Sequence, residues 1–105
     1  IAQAVPGARM VTFGHLGDGN LHYNVQAPEG VDASAFLKRY QAQLNRIVYD
    51  SVHRHRGTFS AEHGLGQLKV DDAVHYKSPV EIGLMRTLKG ALDPLGLMNP
   101  GKVLR

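Results

Sequence analysis

The sequence predicts an α+β domain, a small antiparallel sheet with helices on one face. Three observations predict it: two alternating stretches flank a Gly-rich turn, a long amphipathic pattern follows, and a second helical pattern opens on a capping box. The predicted order is β-β-α-β-α.

Residues 9–14, RMVTFG, enter the turn, and residues 21–27, LHYNVQA, leave it as an alternating hairpin partner. The turn holds Gly17, Asp18, Gly19 and Asn20, all tolerant of positive φ. A helix is predicted from about Ala33 to Arg56, because Phe36, Leu37, Tyr40, Leu44, Ile47, Val48 and Val52 share one face. Asp32 or Ser34 can cap its start, and Gly57 stands where a terminating glycine belongs. Residues 58–61, TFSA, read as a short third strand.

EHGLGQLK follows as a loop with two glycines, and residues 71–77 are ambiguous, with room for one helical turn. Ser78-Pro79-Val80-Glu81 is a capping box with proline in the first turn. The helix it starts carries Leu84, Met85, Leu88, Ala91 and Leu92 on one face, and Asp93-Pro94 stops it. NPGK (99–102) is a turn.

At 105 residues and 43% apolar composition, the chain suits one domain with a thin core. It opens at Ile1 without an initiator Met and is expected to be a piece of a longer protein. Such a piece is expected to leave an apolar face uncovered and to form a homo-oligomer when isolated. With no cysteine there is no disulfide, thiolate metal site or cysteine nucleophile. No apolar run suffices for a transmembrane segment, and no signal peptide is visible. A cytoplasmic location is expected, with peripheral attachment to the inner membrane left open. The net charge is +3, and the densest basic run is His53-Arg54-His55-Arg56. At a helix C-terminus this run complements the macrodipole. Without aromatic or Gly-rich interleaving, it does not predict a nucleic-acid partner.

The stretch GHLGDGNLH sets His15 and His22 around the turn. If the hairpin closes with a six-residue loop, His15 lies opposite His22, with Cβ atoms about 4.5–5.5 Å apart. Two imidazoles so placed can grip one divalent metal, or can simply bond to nearby backbone. Alternation puts Asn24 on the face of His22 and Tyr23 on the other. SAEHG offers Glu62 as a third ligand, with His63 beside it as a base, although both also suit an ordinary surface loop. His53, His55 and His75 read as solvated or capping residues. No dinucleotide fingerprint, Walker loop, HExxH or nucleophile elbow is present.

Three stretches in order, GHLGDGNLHYN, SAEHGLGQLK and LKGALDPLGLMNPGKVL, resemble the C-terminal part of the FAD-linked 2-hydroxyacid dehydrogenases of the vanillyl-alcohol oxidase superfamily. That group includes D-lactate dehydrogenase, D-2-hydroxyglutarate dehydrogenase and the flavin subunit of glycolate oxidase. The resemblance implies that residues 1–105 belong to a ferredoxin-like substrate (cap) domain, with the FAD-binding domain N-terminal and absent. It implies a divalent metal, zinc in the best-known members, on His15, His22 and Glu62, and His63 as the catalytic base. It assigns Asn24 to the substrate carboxylate or hydroxyl, places Asn99 near the flavin ring and makes Lys102 a flavin or structural partner. A small 2-hydroxy acid would be oxidised to its 2-oxo acid, and this piece alone is expected to be inactive.

Other readings are a member of the superfamily acting on another alcohol substrate, a non-catalytic binding or oligomerisation module, and a small metal-dependent hydrolase. Imidazole and carboxylate ligands suit zinc, manganese and iron alike.

Overall fold

A computed structural model describes residues 1–60 and 62–104. Among them the elements are β1 (Arg9–His15), β2 (Asn20–Gln26), α1 (Ala33–Arg54), α2 (Val70–Tyr76) and α3 (Pro79–Leu92). The α+β class holds, in the order β-β-α-α-α. The chain divides into two compact units, Ile1–Phe59 and Ser60–Arg105.

In the first unit β1 and β2 pair antiparallel, with Phe13 opposite His22 and His15 opposite Asn20. The connection is therefore four residues, not six. Leu16–Asp18 form one 3₁₀ turn, and Gly19 takes a left-handed conformation at φ 64° as its N–H returns to the Leu16 carbonyl at 3.1 Å. Gly19 alone in this loop uses the freedom that glycine offers. Gly14 is glycine for another reason. It lies opposite Leu21, and a Cβ there would sit 2.9 Å from the Leu21 Cα and clash with the Asn20 carbonyl.

The core of this unit is Val5, Ala27, Phe36 and Leu44, with Ile1, Ala8, Val25 and Tyr40 packed around it. Val25 turns one sheet face toward that core, and by alternation His15, His22 and Asn24 occupy the opposite face. Along α1, Phe36 and Leu44 are buried, Tyr40, Ile47, Val48 and Val52 are half-buried, and Leu37 is exposed. Asp32 is the N-cap, its carboxylate accepting the Ser34 N–H at 3.3 Å.

The helix ends one residue earlier than its glycine suggests. Arg56, not Gly57, is left-handed at φ 57°. Its N–H reaches the His53 carbonyl at 3.0 Å, while the Gly57 N–H reaches Val52 at 2.9 Å, the paired bonds of a Schellman ending. The His55 Nδ1–H donates to the Ser51 carbonyl at 2.7 Å.

The third strand expected over 58–61 does not form. Residues 58–60 are irregular, and Ala61 lies outside the described residues. Instead of joining a ladder, Phe59 folds against Tyr49 of α1, ring centroids 5.0 Å apart.

In the second unit the ambiguous stretch is the helix α2, which starts at Lys69 without a side-chain cap. The capping box of α3 closes as predicted: the Glu81 N–H donates to Ser78 Oγ at 3.1 Å, and the Ser78 N–H to Glu81 Oε1 at 3.5 Å. The face predicted for burial on α3 is not the one covered. Ile82 is buried and Met85 and Lys89 are half-buried, while Leu84, Leu88, Ala91 and Leu92 are exposed. Among the described residues of this unit, Val70, Ala73 and Asp93 are buried as well.

Candidate functional site

The motif residues fall into one group in each unit. In the first, His15 ends β1 and His22 lies within β2, on the same face of the hairpin because both pairings keep the same parity. They are diagonal neighbours, not the directly opposed pair expected: the residue opposite His22 is Phe13. The two imidazoles meet edge-on, centroids 6.5 Å apart at 86°. Phe13 lies flat against His22 at 4.7 Å and 12°. Asn24, on the same face, is exposed opposite Val11. Tyr23 points the other way, its hydroxyl 3.9 Å from Met10 Sδ.

In the second unit Glu62 and His63 stand exposed on a bend. The Ser60 hydroxyl donates to the His63 carbonyl across this bend, which fixes its backbone. Gly66, left-handed at φ 56°, offers its carbonyl to the Val103 N–H at 2.6 Å. That bond ties the EHGLG loop to the NPGK turn, so two of the three motifs are joined directly. In the turn, the Lys102 N–H closes on the Asn99 carbonyl at 3.2 Å, and both Asn99 and Lys102 are exposed.

The approach to this turn is held by residues that the motif reading passed over. Asp93, read from sequence as part of a helix stop, accepts the Leu97 N–H on Oδ1 and the Met98 N–H on Oδ2, each at 2.9 Å. Lys89 donates to Asp93 Oδ2 and to the Met98 carbonyl, each at 2.5 Å. The Lys89 hydrogen bond, aided by the Met98 and Leu97 N–H groups, holds the Asp93 carboxyl at about 2, below its ordinary 3.8. The signal was present as a Lys–Asp pair one helical turn apart. Phe13 was legible too, two residues before His15 and hence on its face.

The donors suit a divalent metal by chemistry, imidazole and carboxylate being ordinary ligands. Imidazoles sharing one ion hold their nitrogens ~2.0–2.1 Å from it, which brings the rings closer than the separation seen here, so they must swing together. The histidine pair belongs to the first unit, and Glu62 to the second. Within neither unit, among the described residues, do three His, Cys, Asp or Glu side chains form a group that could hold a metal. For a flavin, the exposed carboxamide of Asn99 and ammonium of Lys102 have suitable chemistry, a donor–acceptor pair and a cation.

The family described as FAD linked oxidases, C-terminal domain, matches residues 2–103, and the chain belongs to that family. Its relatives are named as dehydrogenases. It is 41% identical over 98% of its length to a D-2-hydroxyglutarate dehydrogenase of Stutzerimonas stutzeri, covering 22% of that protein. It is 44% identical over 92% of its length to the mitochondrial D-2-hydroxyglutarate dehydrogenase of Arabidopsis thaliana, covering 16% of it. A putative mitochondrial D-lactate dehydrogenase of Schizosaccharomyces pombe is 47% identical over 92% of the chain, which covers 17% of that protein. The chain thus spans about a fifth of the length of these curated relatives. Among the described residues no helix is long and apolar enough to cross a membrane.

Proposed function

We propose that the whole protein is an FAD-dependent dehydrogenase oxidising a small 2-hydroxy acid of the lactate, glycolate or 2-hydroxyglutarate type to the 2-oxo acid. This chain would supply metal ligands, the base and part of the flavin contact. The observation that carries the reading is the family match over residues 2–103, and the relatives' names make D-2-hydroxyglutarate the first substrate to test.

His15 and His22, on one sheet face, and Glu62 would hold a divalent metal, zinc first. Such an ion would supply Lewis acidity toward the substrate hydroxyl. A flavin beside Asn99 and Lys102 would supply hydride-accepting chemistry for the substrate C2–H bond. The matching proton leaves the hydroxyl for the imidazole of His63, acting as general base. Asn24, exposed on the face of His22, would hydrogen-bond the substrate carboxylate or hydroxyl. Asn99 and Lys102 would face the flavin from a turn whose backbone is held on both sides. The cytoplasmic location remains our proposal, beside relatives named as mitochondrial.

The test is made on the full-length protein. It should reduce its flavin when given D-2-hydroxyglutarate or another small 2-hydroxy acid, and His15→Ala and Glu62→Gln should each lose metal. No flavin reduction by any 2-hydroxy acid would overturn the activity. Unchanged metal content in both variants would overturn the ligand set.

A further inference from the structure

Asn99 stands on a turn gripped from both sides. Upstream, Asp93 is buried at the end of α3, and its two carboxylate oxygens receive the N–H groups of Leu97 and Met98. Lys89, one helical turn before it, bonds that carboxylate and the Met98 carbonyl together. One side-chain pair therefore holds both the N–H and the C=O of Met98, the residue directly before Asn99. Downstream, the Val103 N–H is bound to Gly66. Between these anchors Asn99 is left-handed at φ 45°, and Val103 is left-handed at φ 63°. A left-handed β-branched residue is costly and persists only where its surroundings dictate it; such residues cluster at ligand clamps.

Closing the helix does not require all of this. The Asp93 N–H already bonds the Lys89 carbonyl at 2.8 Å, and the Asp93 carboxylate caps the following loop. The further bond from Lys89 to Met98 reaches nine residues along the chain and touches only the approach to Asn99. We propose that Asp93 and Lys89 act as a clasp that sets the orientation of Asn99 toward the flavin. This rests on the placement of Asn99 given above. Both are positioning residues, acting through the Met98 backbone without touching substrate or flavin.

The experiment uses the full-length enzyme with flavin bound and the variants Asp93→Asn, Lys89→Met, Lys89→Arg and Asn99→Ala. Lys89→Met leaves both carboxylate–backbone bonds available, so the helix end stays closed while the Met98 carbonyl is released. Hydrogen exchange at the Leu97 and Met98 amides should quicken in Asp93→Asn. In Asp93→Asn and Lys89→Met the flavin absorption and midpoint potential should shift in the direction seen for Asn99→Ala. In both, kcat should fall about ten-fold or more with little change in KM, the size of effect a small misplacement produces. Lys89→Arg should restore most of the wild-type signature. A shifted flavin in Asn99→Ala beside an unchanged one in both clasp variants would overturn the clasp alone. An unchanged flavin in Asn99→Ala would overturn the placement of Asn99, and with it the clasp.

Discussion

Phe13 lies directly across the hairpin from His22, and their rings stack 4.7 Å apart and nearly parallel. The contact covers one face of the imidazole and limits its rotation, leaving the ring edge directed along the sheet face that also bears His15. Even with this stack Phe13 is 57% exposed. In the full-length protein Phe13→Ala should weaken metal binding about ten-fold, the lower end of the effect of losing an orienting neighbour. Metal titration of the apo-protein measures it, and Phe13→Tyr, which keeps the stack, should bind as wild type.

Gly14→Ala should disrupt the hairpin. The new methyl group would meet the backbone of Asn20 and Leu21 on the partner strand, which cannot move aside as a side chain can. The loss should reach about 2–4 kcal/mol, in the range of severe single-site effects. Chemical denaturation of the full-length protein gives the number, and Gly17→Ala, where an added Cβ meets nothing, is the control.

His63→Asn in the full-length enzyme should lower kcat by about 10²–10⁴-fold with a smaller change in KM, because a base is needed in the transition state and not for binding. Stopped-flow reduction of the flavin isolates this step. Retention of most of the reduction rate would move the base elsewhere.

The isolated chain should self-associate. Leu84, Leu88 and Leu92 form a stripe at helical spacing, 61%, 63% and 79% exposed. A monomer rarely tolerates a large contiguous apolar patch, and a two-fold contact covers it on both copies at once. Sedimentation equilibrium at micromolar concentration should show a dimer or larger species, and Leu88→Glu should return it toward monomer.

Acid should loosen the end of α3 through Asp93. Its carboxyl is held at about 2 in the folded chain against an ordinary 3.8. A depressed pKa stabilises the folded state above the ordinary value, and that contribution disappears as pH falls from about 4 toward 2. Exchange protection of the Leu97 and Met98 amides should decline across that window, and Asp93→Asn should flatten the decline.

Local signals carried much of the fold. Asp32, Ser78 and Glu81 cap their helices as their positions suggest, because capping depends on residues within one turn. The faces of the hairpin were legible but not its opposition. The observed register differs from the expected one by two residues, and a shift of two keeps every side chain on its face. Residues 58–60 have strand-forming composition, yet a strand needs a neighbour, and Phe59 found Tyr49 instead. The stripe on α3 has the right period, but periodicity shows that a helix has an apolar face and not what lies against it. α2, read as ambiguous with room for one helical turn, starts at Lys69 without a capping side chain to announce it. At the site, the candidate residues stood out by motif, whereas Phe13, Lys89 and Asp93 left only spacing signals whose meaning came from the contacts they make in the fold.

The closure of α3 at both ends bears on the order in which the chain folds. Its start is fixed by residues three apart, Ser78 and Glu81, with Pro79 already set at a helical φ, and its end by Lys89 and Asp93, four apart. Such contacts carry almost no loop-closure entropy, so this helix can form within microseconds of collapse. The hairpin must instead choose among registers that bury the same face, and a slip of two residues leaves no hydrophobic penalty to correct it. Gly14 suits the observed register, where any side chain at that position would collide with the Asn20–Leu21 backbone. The strand pair that carries the histidines thus depends on contacts that settle its register, whereas the closures of α3 depend only on residues within one turn.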